Sequence, residues 1–143
     1  MTRLPSSAGR GRDAAGRPVP LGSPDAVEPV PEQALPPREA LALARSLLAQ
    51  GRPFFAHDVL EAVWKVAPVP ERDLWQGLAQ ACVGLTHSQR GNPVGAARLL
   101  RRAAGTLDTA AAAHGVDVSA VVAQVLAAAD LVDAGATPPP LVL

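Results

Sequence analysis

The apolar residues of this 143-residue chain recur with helical spacing from Pro36 onward and without regular spacing before it. Residues 1–36 are instead rich in proline, glycine and arginine. Such a segment buries too little apolar surface to offset the entropy of ordering it, so we predict a disordered lead over residues 1–36. No stretch alternates apolar and polar residues as a half-buried strand does, and we therefore predict an all-α protein without strands.

Five helices are predicted after the lead, and the predicted bounds are about 37–50, 53–67, 71–90, 93–113 and 117–134. The sharpest boundary is at Gly91, Asn92 and Pro93, which supply a left-handed stop, an N-cap and a first-turn proline in consecutive positions. Short connections favour antiparallel neighbours. We expect a compact antiparallel bundle over residues 37–135 and a C-terminal tail over residues 136–143.

Two predictions concern the faces of particular helices. The fifth helix is expected to begin at a cap supplied by Asp117 or Ser119. The fourth helix is expected to turn one apolar stripe inward, formed by Ala97, Leu100, Ala104, Leu107 and Ala111.

Composition excludes several classes of function. The 13 basic and 13 acidic residues balance, so no global charge favours nucleic acid or an anionic membrane. Cys82 is the only cysteine, which excludes a disulfide scaffold and a cysteine zinc site. The chain has neither the apolar run of a signal peptide nor one of about 18 residues that could span a bilayer. We expect a soluble cytoplasmic protein.

The predicted second helix has an unusual polar pair on an aromatic face. At about 100° per residue, one face carries Phe54, His57, Leu60, Glu61 and Trp64, and the opposite side carries Phe55, Val59 and Val66. Apolar residues on both sides are typical of a helix in the middle of a bundle. An ionisable pair at i and i+4 is costly there unless it is hydrogen-bonded.

The predicted third helix offers a partner for that pair. Its residues Gln76, Gln80, Val83 and His87 form one stripe, and Gly77 and Gly84, one heptad apart, leave room for another backbone to approach. The candidate polar pocket is therefore His57, Glu61, Trp64, Gln76, Gln80 and His87. We favour a buried structural network that fixes helix register, over a small-ligand pocket and over a metal held by His57, Glu61 and His87.

Two blocks of the sequence resemble the family called domain of unknown function 309. They are FFAHDVLEAVWK at 54–65 and LWQGLAQACVGLTHSQRGNPVGAARLLRRA at 74–103. Family members typically carry glutamate directly after the first histidine, where this chain has Asp58; the change bears on a second acidic ligand and not on the fold. The resemblance implies an all-α bundle and no established activity, and its pattern is matched by His57, Glu61, Trp64, Gln76, Gln80, His87 and Asn92.

These observations favour a non-enzymatic binding or interaction module, with an enzyme or a metal- or small-ligand-binding protein using His57, Glu61 and His87 as the alternative. No cofactor and no metal are predicted. An unknown small ligand or a protein is the expected partner, and the chain is expected to be a monomer or a weak homodimer. A module of this kind needs a partner surface; Leu99, Leu131 and Leu141 to Leu143 are apolar residues outside the main helical stripes, but residues scattered singly do not define one.

Overall fold

The computed structural model describes residues 10–20 and 22–143, and within them the fold is the predicted bundle of five helices. The helices are α1 (Pro37–Ala49), α2 (Pro53–Val66), α3 (Arg72–Gln89), α4 (Pro93–Asp108) and α5 (Val118–Asp133), and a 3₁₀ turn at Val69–Glu71 precedes α3. Among the residues that the structure describes, every helix is too short or too polar to span a bilayer.

Each helix packs on its neighbour in sequence, and α3 is central because it contacts α2, α4 and, less extensively, α5. The boundary between α3 and α4 is as predicted. Gly91 has a φ of 76°, Asn92 accepts a hydrogen bond from the Gly95 amide, and Pro93 opens α4. Asp117 is the cap of α5, where it accepts from the Ala120 amide. Local chemistry of the chain therefore sets both of these helix starts.

Helix α4 is shorter than predicted, and the extension to residue 113 is wrong. It ends at Asp108, and the Thr109 hydroxyl lies 2.9 Å from the carbonyl oxygen of Thr106. The chain then reverses through His114 and Gly115, both of which have positive φ. Ala111, predicted to point inward, is exposed in this connection. The alanines of residues 110–113 favour a helix, but the Thr109 side chain competes for the last carbonyl groups of α4.

Close packing of α3 on α4 depends on the two glycines noted in the sequence. A Cβ at Gly77 would lie 2.6 Å from Leu107 Cγ, and one at Gly84 would lie 2.8 Å from Leu100 Cγ. Both leucines are fully buried and are themselves one heptad apart. The predicted close approach at Gly77 and Gly84 is confirmed, and the helix that approaches is α4.

The expectation of a strand-free chain is wrong for one short hairpin. Strand β1 (Arg10–Arg12) pairs antiparallel with β2 (Pro18–Pro20), with Gly11 opposite Val19. The pattern gave no sign of it because each strand has only three residues. Of the lead predicted to be disordered over residues 1–36, residues 1–9 and 21 lie outside the described residues.

The hairpin loop contacts the α2–α3 side of the bundle around Phe54. The guanidinium carbons of Arg12 and Arg90 each lie 5.3 Å from the centre of the Phe54 ring. Arg90 also donates a hydrogen bond to the Ala15 carbonyl oxygen, and Gly16, with a φ of 80°, lies against the Phe54 ring where no side chain would fit. Cation–π and hydrogen-bond contacts thus hold the hairpin on α2 and α3.

Candidate functional site

Helix α2 buries one face only, and the predicted polar pair lies on its half-buried flank. Phe55, Val59, Leu60 and Val63 are buried, whereas Phe54, His57, Glu61 and Trp64 are partly exposed. Val66, predicted to cover the opposite side, is 71% exposed at the end of the helix. Leu60 of the predicted aromatic face is thus buried, but the rest of that face is only partly buried, and the His57–Glu61 pair avoids the full cost of burial in the core.

His57 is held by acidic side chains on both edges of its ring. Its Nε2 lies 2.5 Å from Glu61 Oε2, and its Nδ1 lies 3.4 Å from Asp58 Oδ1. Glu61 in turn has its other oxygen 3.3 Å from Lys65 Nζ. The four side chains form a charge-alternating row along one flank of α2, the α2 polar row: His57, Asp58, Glu61 and Lys65.

The neighbours in the α2 polar row favour the charged forms of both members of the pair. Burial of the imidazole opposes its charge, but hydrogen bonding to Asp58 and the charge of Glu61 outweigh burial and raise the pKa of His57. Burial likewise opposes the charge of Glu61, but the charge of His57 and the hydrogen bond from Lys65 outweigh it and lower the pKa of Glu61. An imidazolium whose two ring nitrogens are both paired is a poor general base.

The predicted partners on α3 make their hydrogen bonds elsewhere. Gln80 faces α4, where its Oε1 accepts a hydrogen bond of 2.8 Å from the Thr106 hydroxyl. His87 lies in the last turn of α3, where its Nδ1 accepts a hydrogen bond from the Asn92 side-chain amide at 2.9 Å. Within the described residues, Gln76 is half-buried and makes no side-chain hydrogen bond. No hydrogen bond in that part of the chain joins the α2 and α3 halves of the predicted pocket.

The positions of these side chains do not support the alternative of a metal held by His57, Glu61 and His87. Across residues 10–20 and 22–143, no three His, Cys, Asp or Glu side chains converge closely enough to hold an ion. His57 and Glu61 are neighbours on α2, but His87 is engaged by Asn92 at the far end of α3. Trp64 makes a different contact, since the Arg72 guanidinium lies 5.8 Å from the centre of its ring.

A surface cleft of about 430 Å³ borders the α2 polar row. Asp58, Glu61 and Lys65 form one side, and Val30 to Glu32 with Ala34 form the other. His57 is not part of the lining. The cleft therefore reaches the carboxylates of the row and not the imidazole between them.

A second histidine–carboxylate cluster, formed by His114 and Glu71, was not predicted from the sequence. His114 Nε2 lies 2.7 Å from Glu71 Oε1, and the Trp75 indole donates to the same oxygen at 3.2 Å. The hydrogen bonds from His114 and Trp75 lower the pKa of Glu71. Trp75 is fully buried. The cluster ties the start of α3 to the α4–α5 connection, and 43 residues of sequence separate Glu71 from His114, so no local pattern reveals it.

The predicted tail, residues 136–143, lies in an apolar groove of the bundle. We call the tail groove the surface formed by Leu85 of α3, Leu100 of α4, and Gln124, Val125 and Ala128 of α5. Leu141 enters it and is only 6% exposed. The Gln124 side-chain amide pairs with the backbone of Val142 in both directions, donating to its carbonyl oxygen at 2.8 Å and accepting from its amide at 2.9 Å. Sequence reasoning noted Leu141 to Leu143 and Leu131 only as apolar residues outside the main stripes.

Comparison with known proteins identifies a family model that matches part of the chain. No curated protein and no solved structure matches the chain. A family model, described as Domain of unknown function (DUF309), matches residues 41–99, which run from α1 through α2 and α3 into α4. The resemblance inferred from the sequence is confirmed over this stretch: residues 41–99 match the family of the domain of unknown function 309.

Proposed function

We propose that this protein is a non-catalytic interaction module that binds an extended polypeptide segment in the tail groove. The observation that carries the proposal is the pair of hydrogen bonds between Gln124 and the backbone of Val142, next to the buried side chain of Leu141. A side-chain amide that pairs with both the N–H and the carbonyl oxygen of one residue recognises the main chain and not the side chain of that residue. A buried leucine beside it supplies an apolar anchor.

The titratable groups of the bundle support a module over an enzyme. Both ring nitrogens of His57 are paired with carboxylates. Cys82 is fully buried, and burial raises the pKa of its thiol to about 12, which leaves almost no thiolate near neutral pH. An enzyme needs a titratable group that is both accessible and poised for proton transfer or attack. The proposal keeps the cytoplasmic location expected from the sequence.

The test uses a synthetic peptide of residues 136–143 and the full-length variant Leu141→Ser. Replacing the buried leucine by serine weakens the hold of the chain's own tail and leaves the groove intact. The expected result is saturable binding of the labelled peptide, measured by fluorescence anisotropy. The matched control is Leu141→Ser/Gln124→Ala, which loses two hydrogen bonds to the peptide backbone and is expected to bind about tenfold more weakly.

Two results would contradict the proposal. One is the absence of peptide binding to a Leu141→Ser protein whose circular dichroism shows an intact bundle. The other is equal affinity with and without Gln124, because the peptide would then bind somewhere other than the tail groove.

A second candidate is a small-ligand site in the cleft beside the α2 polar row. The cleft of about 430 Å³ has the size of a small-molecule pocket, and Glu32, Asp58 and Glu61 outnumber Lys65 along it. A small organic amine fits this charge. A thermal-shift screen of amines and divalent metals tests it: a ligand that raises the melting temperature of the wild type and not of Glu61→Gln supports the cleft. No shift for any amine contradicts it.

A further inference from the structure

We infer that the preferred occupant of the tail groove is a partner segment anchored by a side chain larger than leucine, an aromatic one above all, which displaces the chain's own tail. The inference rests on the proposed function and names the partner's chemistry. It follows from how loosely the tail fills the groove, from what Gln124 recognises, and from the competition between a tethered and a free ligand.

Within the described residues, the tail is hydrogen-bonded to the bundle only at its two ends, and between them Leu141 is held by apolar packing. The Ala136 amide donates to the Leu131 carbonyl oxygen, and the next hydrogen bonds are those of Val142 with Gln124 and of the Leu143 carbonyl oxygen with Arg45. Among the described residues, no hydrogen bond holds residues 137–141. Three of these five are proline and have no amide hydrogen to donate. A segment held in this way can leave without disturbing any helix.

The groove is larger than the tail that occupies it. A partly enclosed cavity of about 130 Å³ remains beside Leu141, with an almost wholly apolar lining that includes Leu85, Leu100 and Leu131. On the other flank of Pro138 to Pro140, a cleft of about 440 Å³ extends to Leu48 and Pro53. An apolar cavity of roughly 150 Å³ is large enough to hold benzene. The space beside Leu141 therefore suits a ring in the place of the leucine side chain.

The Gln124 contact defines the residue that follows the anchor. Gln124 pairs with both the amide hydrogen and the carbonyl oxygen of Val142, and Val142 itself is 70% exposed. The position after the anchor thus requires a free amide hydrogen and tolerates many side chains. The preferred segment is extended, with a large apolar anchor followed by any residue except proline.

Competition with the tethered tail makes the larger anchor necessary. A segment joined by a short flexible linker acts at an effective concentration on the order of millimolar, so a free peptide with the same leucine competes poorly. A ring that fills the remaining cavity buries about two more methylene-sized groups. This corresponds to about tenfold in affinity, so the partner displaces the tail at roughly a tenth of the tail's effective concentration, on the order of 0.1 mM.

The experiment compares peptides of residues 136–143 on wild-type protein and on full-length Leu141→Ser. One peptide has the natural sequence, one carries Leu141→Phe, and one carries both Leu141→Phe and Val142→Pro. The Leu141→Phe peptide is expected to bind both proteins about tenfold more tightly than the natural peptide and to shift the Val142 amide resonance of the wild type as its tail is released. The doubly substituted peptide lacks the amide hydrogen and is expected to lose this gain.

The outcomes separate the two proposals. If no peptide binds Leu141→Ser, the proposed function fails, and this inference fails with it. If the natural peptide binds Leu141→Ser but the phenylalanine peptide binds no better, the groove is a binding site and the larger-anchor inference is overturned. If the phenylalanine peptide binds the wild type without any change at Val142, it does not displace the tail, and the inference is overturned as well.

Discussion

Leu107 of α4 lies directly over Gly77 of α3, so close that a Cβ at position 77 would come within 2.6 Å of its Cγ. The equivalent contact one heptad away joins Leu100 to Gly84. Because both leucines are fully buried, neither can move aside into solvent. The two glycines therefore set the distance between α3 and α4, and that distance is a testable property of the sequence.

Gly77→Ala is expected to destabilise the protein by roughly 1–3 kcal/mol, because the added methyl overpacks the interface by more than alanine's helix propensity gains. Gly105→Ala is the matched control. Gly105 also lies within a helix, α4, but a Cβ there meets nothing within 4 Å, so alanine is expected to stabilise by up to about 1 kcal/mol. Urea unfolding of both variants and the wild type measures the two effects. A stabilised Gly77→Ala would show that the helices are not in close contact at this position.

The pairing of His57 makes stability depend on pH. The pKa of His57 is raised in the folded state. Its contribution to the free energy of unfolding is therefore complete below its unfolded pKa of about 6.5, and is lost as the pH rises through its folded pKa. The pKa of Glu61 is lowered in the folded state. Its contribution to the free energy of unfolding is therefore complete above its unfolded pKa, and is lost as the pH falls through its folded pKa. The pair stabilises most between the two unfolded values, about 4.5 for Glu61 and 6.5 for His57, by roughly 0.5–1 kcal/mol because it is partly exposed.

The corresponding measurement is the free energy of unfolding across the range above pH 6.5. The free energy of unfolding of the wild type is expected to fall with rising pH as His57 deprotonates. The His57→Gln variant is expected to lack this pH slope. His87→Gln is the control and keeps the slope, because His87 is hydrogen-bonded to Asn92 and not to a carboxylate. A slope that persists in His57→Gln would mean that another group is responsible.

Cys82 provides an independent probe of the core. Its thiol is fully buried, with a pKa raised to about 12. Alkylation by iodoacetamide at pH 8 is therefore expected to be at least about a thousandfold slower in the folded protein than after unfolding in urea. Alkylation of the unfolded chain is the control, because it shows that the reagent is active and that the Cys82 thiol can react. Rapid alkylation under native conditions would place Cys82 at the surface and contradict the orientation of α3.

Local features of the chain were predictable, and contacts between distant residues were not. The Gly91, Asn92 and Pro93 boundary and the His57–Glu61 pair follow from spacings of a few residues, which the sequence displays directly. The hydrogen-bond partner of Gln80 depends on how α3 is rotated about its axis. The periodicity of the sequence predicted a polar stripe on α3, but it did not show that Thr106 of α4 would donate a hydrogen bond to Gln80.

The same reason explains the features that the sequence did not predict. Glu71 and His114 are brought together by the path of the α4–α5 connection, which in turn depends on α4 ending at Asp108. The tail carries no periodic pattern, and only the assembled faces of α3, α4 and α5 create the groove for Leu141. Both the Glu71–His114 contact and the groove for Leu141 form between residues that are distant in sequence, and local sequence patterns do not show such contacts.

The most direct test is native-state hydrogen exchange at the Val142 amide, which donates to Gln124. If the tail is a displaceable ligand of the bundle, the Val142 amide exchanges more slowly than in a free peptide. The free energy of the opening that exposes Val142 is nevertheless expected to be well below the free energy of the opening that exposes the Leu78 amide in the centre of α3. Exchange of Val142 as slow as that of Leu78 would mean that the tail leaves only when the whole protein unfolds. That result would contradict the tail groove as a binding site.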